Sequence, residues 1–205
     1  MSIYDAGWLA KFLDSKNQPQ EIKDYLREEN KLLLEKIKKG TSLVDFGCGY
    51  GRHLELLAER LSYGLGIDIN DKAVEQARRN LSKYNHIELR VADCRDLCLR
   101  QTFDYAISMN NTIGNIEEKE KVIAEMKKAV FPDGRCILGL YNINSIEPRV
   151  LWYEKTGLKI KKVTEDYIET DKGFRSYHFT KEEIIRLTGR CDILSIAEIG
   201  YFGFF

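Results

Sequence analysis

The sequence predicts an α/β fold built on a doubly wound, mostly parallel sheet, and three observations predict it. The apolar run Leu43–Phe46 breaks into glycines at alternate positions, Gly47, Gly49 and Gly51, before an amphipathic segment from His53 to Leu61. That pattern reads as strand, tight turn and helix. Downstream, apolar strand-like runs alternate with helical patterns, so the strands are expected to lie parallel with crossover helices on both faces. The next strand, Gly64–Asp68, ends in an acid. It stands near the distance of about 20 residues at which a βαβ unit brings a carboxylate to its second strand tip.

Taken in order, Asp5–Asp14 reads as a short amphipathic helix and Pro19–Lys38 as a longer one. Pro19 suits the first turn of that helix and Gly40 its stop, with Ile22, Leu26, Leu33 and Ile37 on the apolar side. Strands are expected at Leu43–Gly47, Gly64–Asp68, Ile87–Val91, Phe103–Met109 and Cys136–Tyr141. Helices are expected at His53–Leu61, Asp71–Ser82 and Glu117–Val130, with Asp71 as the N-cap of the second. After Tyr141 the alternation stops. Ser145–Thr156 reads as a helix, and Leu158–Thr164, Tyr167–Thr170 and Phe174–Phe179 as strand material around an Asp171-Lys172-Gly173 turn. Thr180 caps a further helix, and Asp192–Phe205 supplies a sixth strand and a short seventh, with Gly200 at the bend. The layout is a single domain: a helical lid (1–40), a cofactor-binding core (41–141), a substrate-side insertion (142–179) and a C-terminal helix and strand (180–205).

A chain of 205 residues, 43% hydrophobic and 31% charged, suits one globular domain. Its 32 basic and 32 acidic residues leave no net field to draw it to nucleic acid or to a membrane surface. Five cysteines, odd in number and without a C-x-x-C pair, argue against a disulfide framework or a zinc site and for a reducing compartment. No metal is expected. The start lacks a basic and apolar leader pattern, and no run approaches the roughly 18 apolar residues of a membrane span. A soluble, cytoplasmic protein without membrane partners is expected.

Three closely spaced glycines let the backbone take positive φ and let a ligand lie against it with no Cβ between. The following helix turns its free N–H groups toward the same place. The spacing narrows the ligand. A dinucleotide fingerprint, G-x-G-x-x-G, needs glycine where Arg52 stands, and the Gly-Lys-Ser/Thr of a phosphate-cradling loop is missing. What is left is G-x-G-x-G preceded by an acid, Asp45. Val44-Asp45-Phe46-Gly47-Cys48-Gly49-Tyr50-Gly51-Arg52 followed by Gly66-Ile67-Asp68-Ile69 resembles motifs I and II of the class I S-adenosylmethionine-dependent methyltransferases. Val91-Ala92-Asp93-Cys94 resembles that family's third motif, Phe103–Asn110 its fourth strand and Phe131–Arg135 the turn before its fifth. The resemblance runs roughly from Leu43 to Asn142.

It implies a seven-stranded sheet and S-adenosyl-L-methionine as cofactor. It also implies that Gly47 and Gly49 approach the methionine part, Asp68 the ribose, Asp93 and Cys94 the adenine edge, and Asn110 the amino end. Cys48, Gly51 and Ile69 complete the cofactor-binding set, and Asp45 either contacts the cofactor or caps the turn. Arg52 either steadies the cofactor carboxylate or forms a salt bridge. The stretch Asn110-Asn111-Thr112-Ile113-Gly114-Asn115 lacks the Asn/Asp-Pro-Pro-aromatic tetrad of the adenine and glutamine amide methyltransferases. It is similar to small-molecule N-methyltransferases of the glycine methyltransferase type. Candidate substrate residues are Tyr4, Trp8, Asn111, Asn115, Tyr141 and His178; no residue is named as catalytic. The expected activity is methyl transfer to a nitrogen or oxygen of a small molecule. A protein or tRNA substrate, for which Lys155, Lys159, Lys161 and Lys162 speak, and a non-catalytic cofactor-binding partner subunit are the alternatives. Neither the methyl acceptor nor the oligomeric state is read from these residues.

Overall fold

A computed structural model of the chain describes residues 11, 12, 14–97 and 99–205. Tyr4, Trp8, Cys98 and most of the expected helix Asp5–Asp14 lie outside the described residues. The first long helix, α1 (Gln20–Lys36), starts after Pro19 at φ −56 and buries Ile22, Tyr25, Glu29 and Leu33. It is followed by β1 (Thr41–Phe46), α2 (Arg52–Leu57), β2 (Leu61–Asp68), α3 (Asp71–Asn80), β3 (Ile87–Val91) and β4 (Phe103–Ser108). Next come α4 (Lys119–Ala129), β5 (Val130–Tyr141), α5 (Ile146–Lys155), β6 (Ile160–Val163), β7 (Tyr167–Thr170) and β8 (Arg175–Tyr177). The chain closes with α6 (Lys181–Thr188), β9 (Asp192–Ile196) and β10 (Gly200–Phe204).

Seven strands form one sheet in the order β3-β2-β1-β4-β5-β10-β9. β1 pairs in parallel with β2 and with β4, Val44 standing between Leu65 and Ala106. The order therefore reverses between β1 and β4, and the crevice beyond their carboxyl ends is where such sheets bind ligands. β10 runs antiparallel to β5 and to β9 and sits between them. Strand alternation sends Val44 and Phe46 to the face covered by Val122, Ile123 and Met126 of α4. Leu43 packs on the opposite face with Leu54, Tyr25 and Leu33 of α2 and α1.

Three boundaries differ from the sequence reading. α2 ends at Leu57 and a short 3₁₀ turn carries Ala58–Arg60, because Leu61 already pairs with Thr41 at the start of β2. The segment Phe131–Arg135, expected as a turn, lies within β5: Val130 pairs with Phe103 and Arg135 with Tyr105, and the intervening residues bulge out of the ladder. Asn70, not Asp71, caps α3, its side chain accepting from the N–H groups of Lys72 and Ala73. Thr180 does cap its helix, in a reciprocal capping box with Glu183. The segment 142–179 builds α5 and a second, antiparallel sheet in the order β6-β7-β8. Among the described residues no helix is long and apolar enough to cross a membrane.

Candidate functional site

The chain leaves β1 through the glycine loop, and here the backbone itself shapes the site. Gly47 has φ +81, and a Cβ built on it would collide with the Thr112 side chain. The N–H groups of Gly47 and Cys48 both donate to the Ile67 carbonyl, at 2.8 and 2.9 Å, which folds the loop back over β2. Gly51 serves a different purpose: a Cβ there would lie 2.6 Å from Leu81 Cδ1, so its bareness lets α2 and α3 pack closely. It does not border the cavity.

Asp68 stands at the tip of β2, where its carboxylate accepts from Gly49 N–H and from Asn70 N–H, each at 2.9 Å. Burial raises its pKa above the ordinary carboxylate value despite these bonds. The two N–H groups aim the carboxylate at a cavity of about 450 Å³ lined by Gly47, Cys48, Gly49, Asp68, Ile69, Asp93, Cys94 and Asn110. Ile69 is 62% exposed there, an apolar side chain turned toward the space beside the acid. Asp93 is held by the Arg95 guanidinium, which keeps its pKa below the ordinary value. The Cys94 thiol is pushed up to about 12, chiefly by burial.

Beneath the loop lies a buried ionic cluster that the sequence reading did not find. Glu29, fully buried on α1, receives Arg52 Nη2 at 2.8 Å and His53 Nε2 at 3.1 Å on one oxygen. The other oxygen accepts from Tyr25 Oη at 3.1 Å and from Asn110 N–H at 2.8 Å. Burial opposes ionisation of Glu29, but the His53 hydrogen bond and the Arg52 charge outweigh it and hold the carboxyl at about 2. Burial and Arg52 push His53 down, yet Asp45 and Glu29 raise it above its ordinary value. Asp45 lies 3.7 Å from His53 Nδ1, and neither of its buried oxygens has a hydrogen-bond partner among the described residues. It is 1% exposed and does not line the cavity, so its place is in this cluster below the loop. Arg52 thus forms a salt bridge, but with a buried partner rather than on a solvated face. The spacing of Ile22, Tyr25, Glu29 and Leu33 on one helix stripe carried a signal: an acid on the apolar face.

At the tip of β4, Asn110 and Asn111 adopt φ 49 and 60. Tyr141 Oη donates to Asn110 Oδ1 at 3.0 Å. Asn111 is fully used as a cross-link: its amide donates to Tyr177 O at 2.9 Å and its oxygen accepts from Tyr141 N–H at 3.0 Å. Asn111, Asn115 and Tyr141 border the same cavity, joined by Tyr153 and Ser176 from the 142–179 segment and by Phe12. Phe12 stacks on Trp152 of α5 with ring centroids 3.8 Å apart. His178 does not reach the cavity. It lies buried with Nδ1 accepting from Arg149 Nη2 at 2.9 Å and Nε2 bonded to the Glu165 carbonyl. It belongs to the packing of the 142–179 segment because Arg149 and that carbonyl occupy both ring nitrogens. A second, more open cavity of about 530 Å³ adjoins through Tyr50, Arg52 and Asn110 and is bordered by Lys23 and Arg27 of α1 and Asn80 of α3.

The donor set fits a nucleoside-bearing cofactor. Asp68 offers carboxylate oxygens suited to ribose hydroxyls, Ile69 offers an apolar face for a flat base, and the loop at Gly47 and Gly49 admits a chain against bare backbone. Among the described residues no group of three or more His, Cys, Asp or Glu side chains could hold a metal ion.

Residues 43–134 match the family model of a methyltransferase domain. The chain is 24% identical over 139 residues to a dTDP-3-amino-3,4,6-trideoxy-alpha-D-glucopyranose N,N-dimethyltransferase of Streptomyces venezuelae, covering 66% of this chain and 54% of that one. It spans between about a third and about half of the length of the curated relatives it matches. The PH0226 protein of Pyrococcus horikoshii OT3 shares the fold with a TM-score of 0.70 at 22% identity, covering 91% of each chain. The N-methyltransferase NodS of Bradyrhizobium japonicum WM9, solved with S-adenosyl-L-homocysteine, does so with a TM-score of 0.67 at 15% identity over 98% of each chain.

Proposed function

With a methyltransferase domain of the class I, S-adenosylmethionine-dependent family as its cofactor-binding half, this chain, we propose, transfers a methyl group to a nitrogen or oxygen of a small molecule. The observation that carries the small-molecule part is the cavity of about 450 Å³. It joins Gly47, Asp68 and Asn110 of the core to Tyr153 and Ser176 of the 142–179 segment, and so offers room for cofactor and acceptor side by side. The one relative named as an N,N-dimethyltransferase of an amino sugar nucleotide supports the same reading, and the N-methyltransferase NodS supports nitrogen as the acceptor atom.

S-adenosylmethionine supplies a methyl group already activated on a sulfonium, so the protein's task is alignment and exclusion of water. Holding acceptor and donor in line lowers such a barrier by roughly 7–11 kcal/mol without any acid or base. In this reading Gly47, Cys48 and Gly49 hold the methionine part, Asp68 the ribose, Ile69, Asp93 and Cys94 the base, and Asn110 the amino end. Asn115, Tyr141 and Tyr153 orient the acceptor, and α5 with Phe12 closes the mouth. His53 borders the cavity, but its ring nitrogens face Arg52, Glu29 and Asp45 within the buried cluster, so it is committed there rather than to the acceptor. An acceptor that presents its own lone pair needs no base here.

Of the four lysines that speak for a macromolecular substrate, Lys161 is neutralised locally. Lys161 is paired with Glu169 at 2.7 Å, and the same carboxylate receives Arg175.

Calorimetric binding of S-adenosylmethionine and S-adenosylhomocysteine to wild type and to Asp68→Ala tests the proposal. We expect binding by wild type and a loss of about 1.4 kcal/mol or more, tenfold, in a variant shown to be folded by its melting curve. No binding to folded wild type would overturn the methyltransferase reading.

A further inference from the structure

Arg149 on α5 is fully buried. Its Nη1 donates to the Ser176 carbonyl at 3.3 Å, to Ser176 Oγ at 3.0 Å and to the Tyr177 carbonyl at 3.2 Å, while Nη2 meets His178 Nδ1 at 2.9 Å. Its Nε has no hydrogen-bond partner among the described residues. All these acceptors are neutral, and among the described residues no carboxylate lies within ion-pair distance of the guanidinium. An arginine stays protonated even when burial lowers its pKa, and a buried cation without a counter-charge is costly. The buried Glu29 carboxylate is already engaged by Arg52 at 2.8 Å and His53 at 3.1 Å. Burial holds the Tyr25 and Tyr141 phenols far above their ordinary values, so neither supplies the missing negative charge.

The unbalanced charge is transmitted to the cavity wall through one hydroxyl. Ser176 Oγ faces three donors, Arg149 Nη1 at 3.0 Å, Tyr153 Oη at 2.9 Å and Asn111 Nδ2 at 3.3 Å, and itself donates to Asn115 Oδ1 at 2.9 Å. A hydroxyl accepts two hydrogen bonds, so one of the three donors is in excess. Arg149 and Asn111 each have the Tyr177 carbonyl as a second acceptor. The Tyr153 proton is therefore the one with most to gain from a new acceptor, and Tyr153 and Ser176 both border the cavity.

We infer that the methyl acceptor carries an anionic oxygen group, a carboxylate or a phosphate ester, which docks at Tyr153 and Ser176 in the field of Arg149. This rests on the methyltransferase reading above. The anion would take the surplus Tyr153 hydrogen bond and supply the counter-charge that Arg149 lacks, so Arg149 acts as a specificity-determining residue through the hydroxyls in front of it.

The test uses the whole chain saturated with S-adenosylhomocysteine and three probes titrated calorimetrically: benzoate, phenyl phosphate and the uncharged benzamide. At least one acid should bind about tenfold or more tightly than benzamide. That preference should vanish in Arg149→Gln, persist in Arg149→Lys, and leave S-adenosylhomocysteine affinity unchanged in both. Which acid wins separates a carboxylate from a phosphate. Equal binding of acids and amide, no binding of either acid, or a preference that survives Arg149→Gln would overturn the inference and leave the methyltransferase reading intact. Failure of wild type to take up S-adenosylhomocysteine would overturn both. Should Arg149→Gln not fold, the wild-type comparison still decides, together with Tyr153→Phe, in which the preference should fall at least about threefold.

Discussion

The backbone N–H of Asn110 donates to Glu29 Oε1 at 2.8 Å, tying α1 to the tip of β4 across 81 residues of sequence. The residue that turns the chain beside the cofactor loop is thus held by an acid from the helix that covers it. The same carboxylate is the counter-charge of Arg52 and His53.

Replacing Glu29 with Gln keeps the shape but leaves Arg52 and His53 without their buried acid. Removing one member of a buried ion pair costs about 3 kcal/mol or more. Urea denaturation should show a lower midpoint with an unchanged slope. S-adenosylhomocysteine affinity should fall as well, because the Asn110 N–H exchanges a charged acceptor for a weaker neutral amide oxygen. A loss under about 1 kcal/mol, the range of an exposed pair, would show that the cluster is held by packing rather than by charge.

The cluster also sets a pH profile with two opposite limbs. Glu29 is depressed from 4.5 to about 2, so its contribution is complete above 4.5 and is lost as pH falls toward 2. A shift of that size corresponds to about 3 kcal/mol. His53 is raised above 6.5, so its contribution is complete below 6.5 and is lost as pH rises through the higher folded value. Stability measured by urea titration should peak between these limits, and Glu29→Gln should flatten both limbs. A wild-type profile unchanged from pH 3 to 8 would contradict the assignment.

Two glycines with nearly the same φ separate backbone strain from site geometry. Gly47, at φ +81, lies under the Thr112 side chain, whereas Gly157, at φ +89, has none of the described residues within 4 Å of a built Cβ. Gly157→Ala should cost only the left-handed strain, about 1–2 kcal/mol, and leave S-adenosylhomocysteine binding alone. Gly47→Ala should cost that strain and also weaken binding by about tenfold or more. Equal effects on binding would mean that the loop does not touch the cofactor.

The motif-bearing half of the fold was legible because its signals are local. The run Leu43–Phe46, the glycines after it and the acid Asp68 each encode strand, turn or tip within a few residues, and parallel order follows from their alternation. Even the capping box at Thr180 and Glu183 lies within one helical turn. What the sequence could not show is where side chains from distant segments meet. Glu29 reaches Asn110, Arg52 and His53 only because α1 packs over the tips of β1 and β4. His178 alternates along its strand as a pocket residue would, but Arg149 from α5 claims its Nδ1 and turns it inward. Periodicity assigns a residue to a face, and pairing of buried charge and hydrogen-bond capacity then decides its role. That pairing is a property of three-dimensional contact, so only the tertiary structure decided it.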